Sequence, residues 1–241
     1  MSHTNNLEFE VWGENALFST PVSRGSEKST ETLPPYQALI GIIESVYWKP
    51  TFHYIIDRLR VMNQIRVESK GIRPIKLDGR PDLAYYSYLV HPRYQVQAHI
   101  EWNLQRPDLE ADRNMKKHVA IFNRALSKGG RRDVFLGTRE CQAYVKPQKF
   151  GEGLGFYDDQ PEHDRFFGTM VHGFDYPDET GRPEFSVRFW NPVMRDGIID
   201  FPRPEAVKNV QLIRKVTPPN PSVLTQSVDV LYDELLGGDQ V

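Results

Sequence analysis

The sequence predicts an α+β protein whose first part follows the order β-α-β-β-α-β and whose second part is a small antiparallel β-sheet. Residues 7–12 and 94–102 carry an apolar side chain at every second position, a pattern typical of half-buried strands. Two other stretches repeat apolar residues at the spacing of an amphipathic helix. With 241 residues, the chain is long enough for one large domain or two modest ones.

The first three elements follow from local pattern. Alternation over residues 7–12 predicts a strand with one buried face. The proline pair at 34–35 favours a helix start, and a later proline favours a stop at Lys49. Residues 52–65, rich in Ile, Phe, Tyr and Val, predict the next strand. The apolar positions of the helix are Leu39, Ile42, Ile43, Val46 and Tyr47.

A basic segment with Pro and Gly, residues 70–81, is expected to be an irregular connection. The strictest alternation in the chain follows at 94–102 and predicts a third strand. A second helix is expected over 114–127, ended by a glycine pair. Its apolar stripe consists of Met115, Val119, Phe122 and Leu126. A strand at 132–145 completes the β-α-β-β-α-β order, which is that of the ferredoxin-like fold.

The second part of the chain begins with a glycine-rich link at 151–155, which is expected to be flexible. Three strands of a small antiparallel sheet are expected at 166–176, 184–190 and 197–201. A terminal helix is expected at 223–236. The predicted domains are therefore residues 1–148, a ferredoxin-like unit, and residues 149–241, an antiparallel β subdomain with a C-terminal tail.

The composition is that of a soluble globular protein, with 39% hydrophobic and 26% charged residues and a net charge of −2. No apolar run approaches the roughly 20 residues of a membrane-spanning helix, and the polar N-terminus lacks an apolar signal core. Cys141 is the only cysteine, so neither an internal disulfide nor a cysteine-based zinc site is expected. These features predict a cytoplasmic protein without a membrane partner.

Charge is distributed unevenly along the chain. Residues 113–139 hold eight Lys or Arg and one acid, and residues 58–80 hold seven Lys or Arg and two acids. Residues 151–184 hold nine acids and two arginines. The two basic stretches predict a surface that binds a polyanion, although uneven solvated faces also occur in proteins without such a partner.

His118 is the first candidate catalytic residue, and Lys116 and Lys117 stand directly before it. The apolar stripe of the second helix puts His118 at its edge, where an imidazole meets both core and solvent. A titratable imidazole beside ammonium groups suits phosphodiester chemistry, because cations stabilise the charge that builds on phosphorus. From spacing alone, a boundary histidine and a solvated lysine pair remain the commoner alternatives.

Tyr47 is the second candidate, at the end of the first helix. In a ferredoxin-like fold both helices pack on one face of the sheet, so this end can approach the start of the second helix. A phenol there could hold a ribose 2′-hydroxyl, or act as a base if nearby cations lowered its pKa of about 10. The alternative is a half-buried aromatic ring with its hydroxyl in water.

The sequence predicts neither a metal nor a cofactor. No His-x-x-x-His, Asp-x-Asp or His/Cys cluster has the spacing of metal ligands. The glycine run at 151–155 lacks the Gly-Lys-Ser/Thr of a phosphate-binding loop. The aromatic motif of RNA-recognition domains is also missing, so stacking on such a platform is not the expected mode of RNA binding.

Several segments carry a resemblance to a known family. They are residues 10–13 (Glu-Val-Trp-Gly), 16–18 (Ala-Leu-Phe), 44–50 (Glu-Ser-Val-Tyr-Trp-Lys-Pro), the Lys117-His118 pair and 135–141 (Phe-Leu-Gly-Thr-Arg-Glu-Cys). Together they resemble the CRISPR-associated Cas5d (CasD, Dvulg-subtype) proteins of type I-C systems. The match extends from residue 7 to residue 201.

The resemblance implies a ferredoxin-like, RNA-recognition-like domain followed by a small antiparallel sheet. It also implies that the protein cuts precursor CRISPR RNA within each repeat, without metal. Such a protein then stays bound to the crRNA handle, beside other subunits of the type I-C complex. The family's functional Tyr, Lys and His fall on Tyr47, Lys117 and His118.

The expected reaction is attack of the RNA 2′-hydroxyl on the adjacent phosphorus, which leaves a 2′,3′-cyclic phosphate. Tyr47 is expected to orient or deprotonate the hydroxyl, His118 to pass the proton to the leaving oxygen, and Lys117 to stabilise the phosphorane. Tyr47 and His118 could exchange roles. Contacts to the RNA backbone are expected from Lys116, Arg66, Arg73, Arg131 and Arg132.

Two other functions remain open at this point. One is a purely structural subunit that grips the crRNA handle and leaves cutting to another enzyme. The other is a nuclease that cuts DNA with a divalent metal. Together, Tyr47, Lys117 and His118 favour the RNA-cutting function over the structural subunit. A cleavage assay with excess chelator separates all three functions.

Overall fold

The computed structural model describes residues 5–20, 23, 27–76, 78–158 and 164–216. The helix expected at 223–236 lies outside the described residues. The helices are α1 (Tyr36–Val46), α2 (Met115–Leu126) and the single turn α3 (Pro177–Thr180), with 3-10 helices at Pro107–Asp112 and Pro204–Ala206. The strands are β1 (Asn6–Gly13), β2 (Asn15–Ala16), β3 (Phe52–Val61), β4 (Val67–Ile72), β5 (Ala84–Val90), β6 (Arg93–Trp102), β7 (Val134–Phe135), β8 (Gln142–Pro147), β9 (Arg165–Phe166), β10 (Met170–Asp175), β11 (Glu184–Trp190), β12 (Val193–Arg195), β13 (Ile198–Asp200) and β14 (Asn209–Lys215).

The described strands form one large sheet and two small ones. The large sheet has eight strands in the order β7-β8-β1-β6-β3-β13-β12-β9, and its strand pairs are antiparallel. The small sheets have the orders β10-β11-β14 and β2-β5-β4. This mixed, mostly antiparallel architecture with few helices confirms the α+β prediction. Among the described residues, every helix falls short of the length and apolar character that a membrane crossing requires.

The core lies between the large sheet and the two long helices. On β1, Leu7 and Phe9 point to this core and pair with Ala98 and Val96 of β6. Phe122 of α2 meets the Phe9 ring edge-on, with 6.3 Å between centroids. Alternation in the strands and helical spacing in α2 thus turn their apolar side chains toward one another, as the sequence predicted.

The opposite face of the large sheet is polar and is covered by the chain itself. Arg60 of β3 donates to the carbonyl of Gly153 at 2.9 Å. Gln95 of β6 donates to the carbonyl of Glu152 at 2.6 Å and accepts from the Gly151 N–H at 2.9 Å. The glycine-rich segment expected to be a flexible link is therefore hydrogen-bonded across the sheet.

The segment expected to be irregular, residues 70–81, lies within a β-hairpin and includes the end of its first strand, β4. β4 pairs with β5 in antiparallel register, with Lys70 opposite Tyr86 and Gly71 opposite Tyr85. β4 has the sequence VESKGI, which offers only two apolar residues and no alternation, so the sequence gives no strand signal there. Pairing with the tyrosine-rich β5 supplies the stabilisation that β4 lacks alone.

Three other boundaries differ from the prediction. The strand expected at 132–145 is the pair β7 and β8, because the chain reverses between them, where the Leu136 N–H bonds the Cys141 carbonyl at 2.9 Å. The strand expected at 197–201 pairs with β3 in the large sheet, and β14 is the third strand of the small sheet instead. Helix α1 ends at Val46, three residues before the predicted stop at Lys49. The domain boundary at residue 148 stays a prediction.

Gly137, in the turn between β7 and β8, lies directly against the backbone of Leu17. The Leu17 N–H bonds the Leu136 carbonyl at 3.0 Å, and a Cβ at position 137 would overlap the Leu17 carbonyl oxygen. Gly137 also has φ +94°, in the region that disfavours side chains. Two segments that carried the family resemblance, 16–18 and 135–141, are therefore in contact.

We expect Gly137→Ala to lower the free energy of unfolding by about 3 kcal/mol or more, from backbone strain and the forced separation from Leu17. Gly129→Ala is the matched control, because Gly129 has φ +86° with nothing within 4 Å of its Cβ position. That control should cost only about 1 kcal/mol. Urea unfolding of both variants measures the difference, and equal losses would show that the contact with Leu17 carries no energy.

Candidate active site between the ends of α1 and α2

The start of α2 places His118 in the core. Asn114 caps the helix, with its side-chain oxygen accepting from the Lys117 N–H at 3.1 Å. The buried residues of the helix are His118, Phe122 and Leu126, four positions apart each time. His118 is 0% exposed, so the prediction of a histidine at the edge of the stripe is wrong. The reason is that the buried face is centred on His118 and Phe122, and Met115 and Val119 are only half-buried.

The end of α1 turns Tyr47 toward α2. Tyr47 is extended, with φ −159° and ψ 134°, while its N–H still bonds the Ile43 carbonyl at 3.1 Å. Its own carbonyl accepts from the buried Tyr54 hydroxyl at 2.7 Å. The phenol is 5% exposed. Two hydrogen bonds thus fix the backbone that carries Tyr47.

Tyr47 and His118 are in direct contact. The Tyr47 hydroxyl lies 2.9 Å from His118 Nδ1, across 71 positions of sequence. The Phe52 and Trp102 rings meet the imidazole edge-on, with centroid distances of 5.0 Å and 5.9 Å. The imidazole is therefore enclosed by aromatic rings on the sheet and by the phenol on α1.

The other ring nitrogen of His118 is also engaged. Nε2 lies 2.8 Å from the backbone carbonyl oxygen of Asp112 and 3.6 Å from a carboxylate oxygen of the same residue. A carbonyl can only accept, so Nε2 carries a proton. In the neutral imidazole Nδ1 is then an acceptor, and the Tyr47 hydroxyl donates to it.

Lys117 reaches the same aspartate from the solvent side. Its Nζ lies 2.5 Å from Asp112 Oδ1, and its side chain is half exposed. The Thr51 hydroxyl donates to Asp112 Oδ2 at 2.9 Å. Hydrogen bonds from Lys117 and Thr51 hold the pKa of the Asp112 carboxyl below its usual range. Asp112 is therefore an anion at neutral pH.

Burial raises the pKa of the Tyr47 phenol, and the negative charge of Asp112 adds to the rise. Arg131 opposes it. The sequence left open that nearby cations would lower the pKa of Tyr47 and make it a base. This environment does not favour that role. It favours a protonated phenol that donates a hydrogen bond.

The basic residues predicted to contact RNA fall in two places. Near the site, Lys116 is exposed on α2, and Arg131 is close enough to act on the charge of Tyr47. The Arg132 N–H bonds the Ser45 carbonyl at 3.1 Å, which holds this exposed loop against the end of α1.

Arg66 and Arg73 flank β4 at the two ends of the hairpin strand, and both are exposed. Arg66 forms an exposed ion pair with Glu68 at 3.4 Å. Their sheet, β2-β5-β4, is separate from the one that carries the strands beside His118. The structure thus groups Lys116, Arg131 and Arg132 with the candidate site and places Arg66 and Arg73 on another element.

Neither Thr51 nor Asp112 was predicted from the sequence as a site residue. Thr51 follows the Tyr-Trp-Lys-Pro segment and Asp112 precedes His118 by six positions. Neither spacing is a known signal. Both residues are recognised only from the hydrogen bonds that converge on the Asp112 carboxylate.

Other described histidines lie in separate surroundings. His172 stacks on Tyr36 with 4.2 Å between centroids, and burial lowers its pKa to about 4. His99 lies 2.8 Å from an Asp57 carboxylate oxygen, which raises its pKa. In the described part of the chain, no three His, Cys, Asp or Glu side chains are grouped so as to hold a metal ion.

Comparisons with known proteins agree on one family. The model of a family described as "CRISPR-associated protein (Cas_Cas5)" matches residues 6–202. Two relatives are named "CRISPR pre-crRNA endoribonuclease Cas5d". The one from Mannheimia succiniciproducens is 26% identical over 223 residues, covering 82% of this chain and 95% of the relative. The one from Thermus thermophilus is 29% identical over 196 residues, covering 76% and 79%.

Two solved structures match over 86% of this chain and 96% of their own. One, described only as a CRISPR-associated protein, is 35% identical with a TM-score of 0.72. The other, a functionally uncharacterized protein from Streptococcus mutans, is 37% identical with a TM-score of 0.71. Because the family model spans most of the sequence, the chain belongs to the Cas5d family of CRISPR-associated proteins.

Proposed function

We propose that this protein is an endoribonuclease that cuts precursor CRISPR RNA within its repeats by attack of the RNA 2′-hydroxyl, without metal. It then stays bound to the crRNA handle as a subunit of the type I-C interference complex. The observation that carries the proposal is the 2.9 Å contact between the Tyr47 hydroxyl and His118 Nδ1, beside the ammonium group of Lys117. The names of the two relatives support the same reaction and substrate.

The proton path follows from this contact. As the 2′-oxygen bonds to phosphorus, its proton passes to the Tyr47 oxygen while Tyr47 gives its own proton to Nδ1. The bond from phosphorus to the 5′-oxygen breaks, and the reverse transfer delivers a proton to that oxygen. The products are a 2′,3′-cyclic phosphate and a 5′-hydroxyl. A relay suits a phenol with a raised pKa, because free phenolate never accumulates.

Lys117 is placed to stabilise the charge that grows on phosphorus. Its side chain is half exposed, and Lys117 directly precedes the buried His118 in α2. To bind a phosphate, its Nζ exchanges the Asp112 carboxylate for a phosphate oxygen. Arg131, whose charge acts on Tyr47, adds positive charge to the same site.

The repeat RNA is proposed to cross the basic surface at the ends of the helices rather than the open sheet. Residues 151–153 cover the part of the sheet face that carries Arg60 and Gln95. Exposed cations lie elsewhere, and phosphate contacts of this kind carry most of the affinity for RNA. They are Lys116, Arg66, Arg73, Arg131 and Arg132. A hairpin stem in the repeat would be recognised mainly by shape.

The finer fold prediction also stays a proposal. The four central strands follow the order β8-β1-β6-β3, with α1 between β1 and β3 in sequence and α2 between β6 and β8. This order supports a ferredoxin-like unit. It accounts for the meeting of the end of α1 with the start of α2.

One observation favours the alternative of a non-catalytic, handle-binding subunit. His118 is 0% exposed and both its nitrogens are engaged inside the protein. In a structural subunit the same contacts would only hold the two helices together. Cleavage assays separate the two functions.

We expect purified protein to cut a cognate repeat RNA in excess chelator, and a single 2′-deoxyribose at the scissile position to abolish the cut. His118→Gln, which keeps a polar side chain in the core, should lose about 10²-fold or more in rate while RNA affinity changes little. An absence of cutting under all conditions would favour the structural subunit. Cutting of DNA that stops with chelator would identify a metal-dependent nuclease.

Tyr47→Phe tests the relay directly, because it removes one oxygen and keeps the ring that packs on Phe52. We expect a roughly 10²-fold lower single-turnover rate with unchanged affinity for a 2′-deoxy repeat. Thermal unfolding checks that the fold is intact. A Phe variant that cuts at the parent's rate would remove Tyr47 from the proton path.

Lys117→Ala and Lys116→Ala remove the same charge from neighbouring positions of α2. We expect the change at 117 to lower the cleavage rate about 10²-fold, since this ammonium lies beside the proton relay. The change at 116 should weaken RNA binding with little effect on the rate at saturation. Equal rate losses in both variants would mean that Lys117 acts only through general charge.

A further inference from the structure

We propose that Asp112 is the positioning residue of this site: its carbonyl sets the orientation and tautomer of His118, and its carboxylate steadies both His118 and Lys117. This role rests on the proposed function. Asp112 ends the 3-10 helix at Pro107–Asp112 and contacts two of the three candidate catalytic residues. Asn114 also bonds both residues, but only through their backbone N–H groups, whereas Asp112 holds both side chains.

The carbonyl of Asp112 decides which nitrogen of His118 faces the phenol as an acceptor. It accepts from Nε2 at 2.8 Å and from the Asn114 N–H at 2.8 Å. The second bond ties the carbonyl to the cap of α2, so the carbonyl and the imidazole it orients belong to one rigid turn. With Nε2–H fixed, Nδ1 carries the lone pair that takes the proton of Tyr47.

The carboxylate of Asp112 favours the charge that His118 gains in the reaction. Oδ2 lies 3.6 Å from Nε2, and the enclosing side chains Phe52 and Trp102 supply no competing charge. When Nδ1 accepts a proton, this anion stabilises the resulting imidazolium. The aspartate of a serine hydrolase stabilises its imidazolium in the same way. Thr51, which is 1% exposed, keeps the carboxylate in place through its 2.9 Å hydrogen bond.

The same carboxylate competes with RNA for Lys117. Its Oδ1 holds Nζ at 2.5 Å, and this contact has to open before Nζ reaches a phosphate. Removing the charge of Asp112 therefore has two effects of opposite sign. Proton transfer becomes slower, while the freed ammonium of Lys117 binds RNA more tightly. A merely structural residue would not separate rate from affinity in this way.

The test is Asp112→Asn, which keeps the carbonyl and a side chain of equal size but removes the charge. Asp108→Asn is the matched control, because Asp108 lies in the same 3-10 helix and pairs with Arg106. For Asp112→Asn we expect a roughly tenfold lower single-turnover rate, against the ~10²–10⁴-fold of a complete acid–base group. Affinity for a 2′-deoxy repeat should rise about two- to fivefold, which corresponds to the interaction free energy of a surface ion pair. Asp108→Asn should change neither.

A second readout needs no cleavage. Imidazole ¹⁵N shifts of the RNA-free protein report which nitrogen of His118 carries the proton, and we expect Nε2–H in the parent.

Thr51→Val serves as a second variant, since it keeps the charge of Asp112 but frees the carboxylate. It should lower the rate less than Asp112→Asn, and it keeps the proposal testable if the latter fails to fold. An Asp112→Asn protein with the parent's rate and affinity would overturn the positioning role while leaving the proposed function intact. An Nδ1–H tautomer in the parent would overturn it as well. If the parent cuts no RNA, the proposed function fails, yet the ¹⁵N shifts still decide whether the carbonyl of Asp112 sets the tautomer of His118.

Discussion

The hydrogen bond between Tyr47 and His118 is the interaction on which the rest of this site depends. It joins the residue that follows α1 to the first turn of α2. It requires α1 to end at Val46, so that the extended backbone turns the phenol inward. It also requires the Asn114 cap, which fixes the rotation of α2. If either helix were rotated about its own axis, the two side chains would no longer meet.

Burial determines how this pair can act. In the proposed mechanism the imidazole, with both nitrogens engaged, does not touch the substrate, and the phenol links it to an RNA sugar. Burial also raises the pKa of that phenol, which makes proton relay more favourable than phenolate formation. In the same proposal, the positive charge at phosphorus would come from Lys117, whose half-exposed side chain stays at the surface. Buried groups would then transfer the proton, and a surface group would stabilise the charge.

The sequence predicted the elements that carry the site better than it predicted the site itself. Regular spacing located β1, β6 and α2 closely, because one face of each is buried against the core. The β4 strand was missed, since its stability comes from pairing with β5 and not from its own residues. His118 was predicted at the edge of the buried stripe of α2, but it lies within that stripe. A search for apolar residues does not count a polar member such as His118. Residue type and position made Tyr47 and His118 candidates, with Lys117 beside His118, and the family resemblance assigned all three a functional role. The bonds to Asp112 have no sequence signature.

The most direct measurement is a crystal structure of the protein with a repeat RNA that carries 2′-fluorine at the scissile nucleotide. Fluorine takes the place of the attacking oxygen and cannot react. The account predicts that this fluorine lies about 3 Å from the Tyr47 hydroxyl, with the adjacent phosphate on Lys117. A bound repeat whose sugars all remain more than about 10 Å from Tyr47 would contradict the account, because no proton could then pass between them.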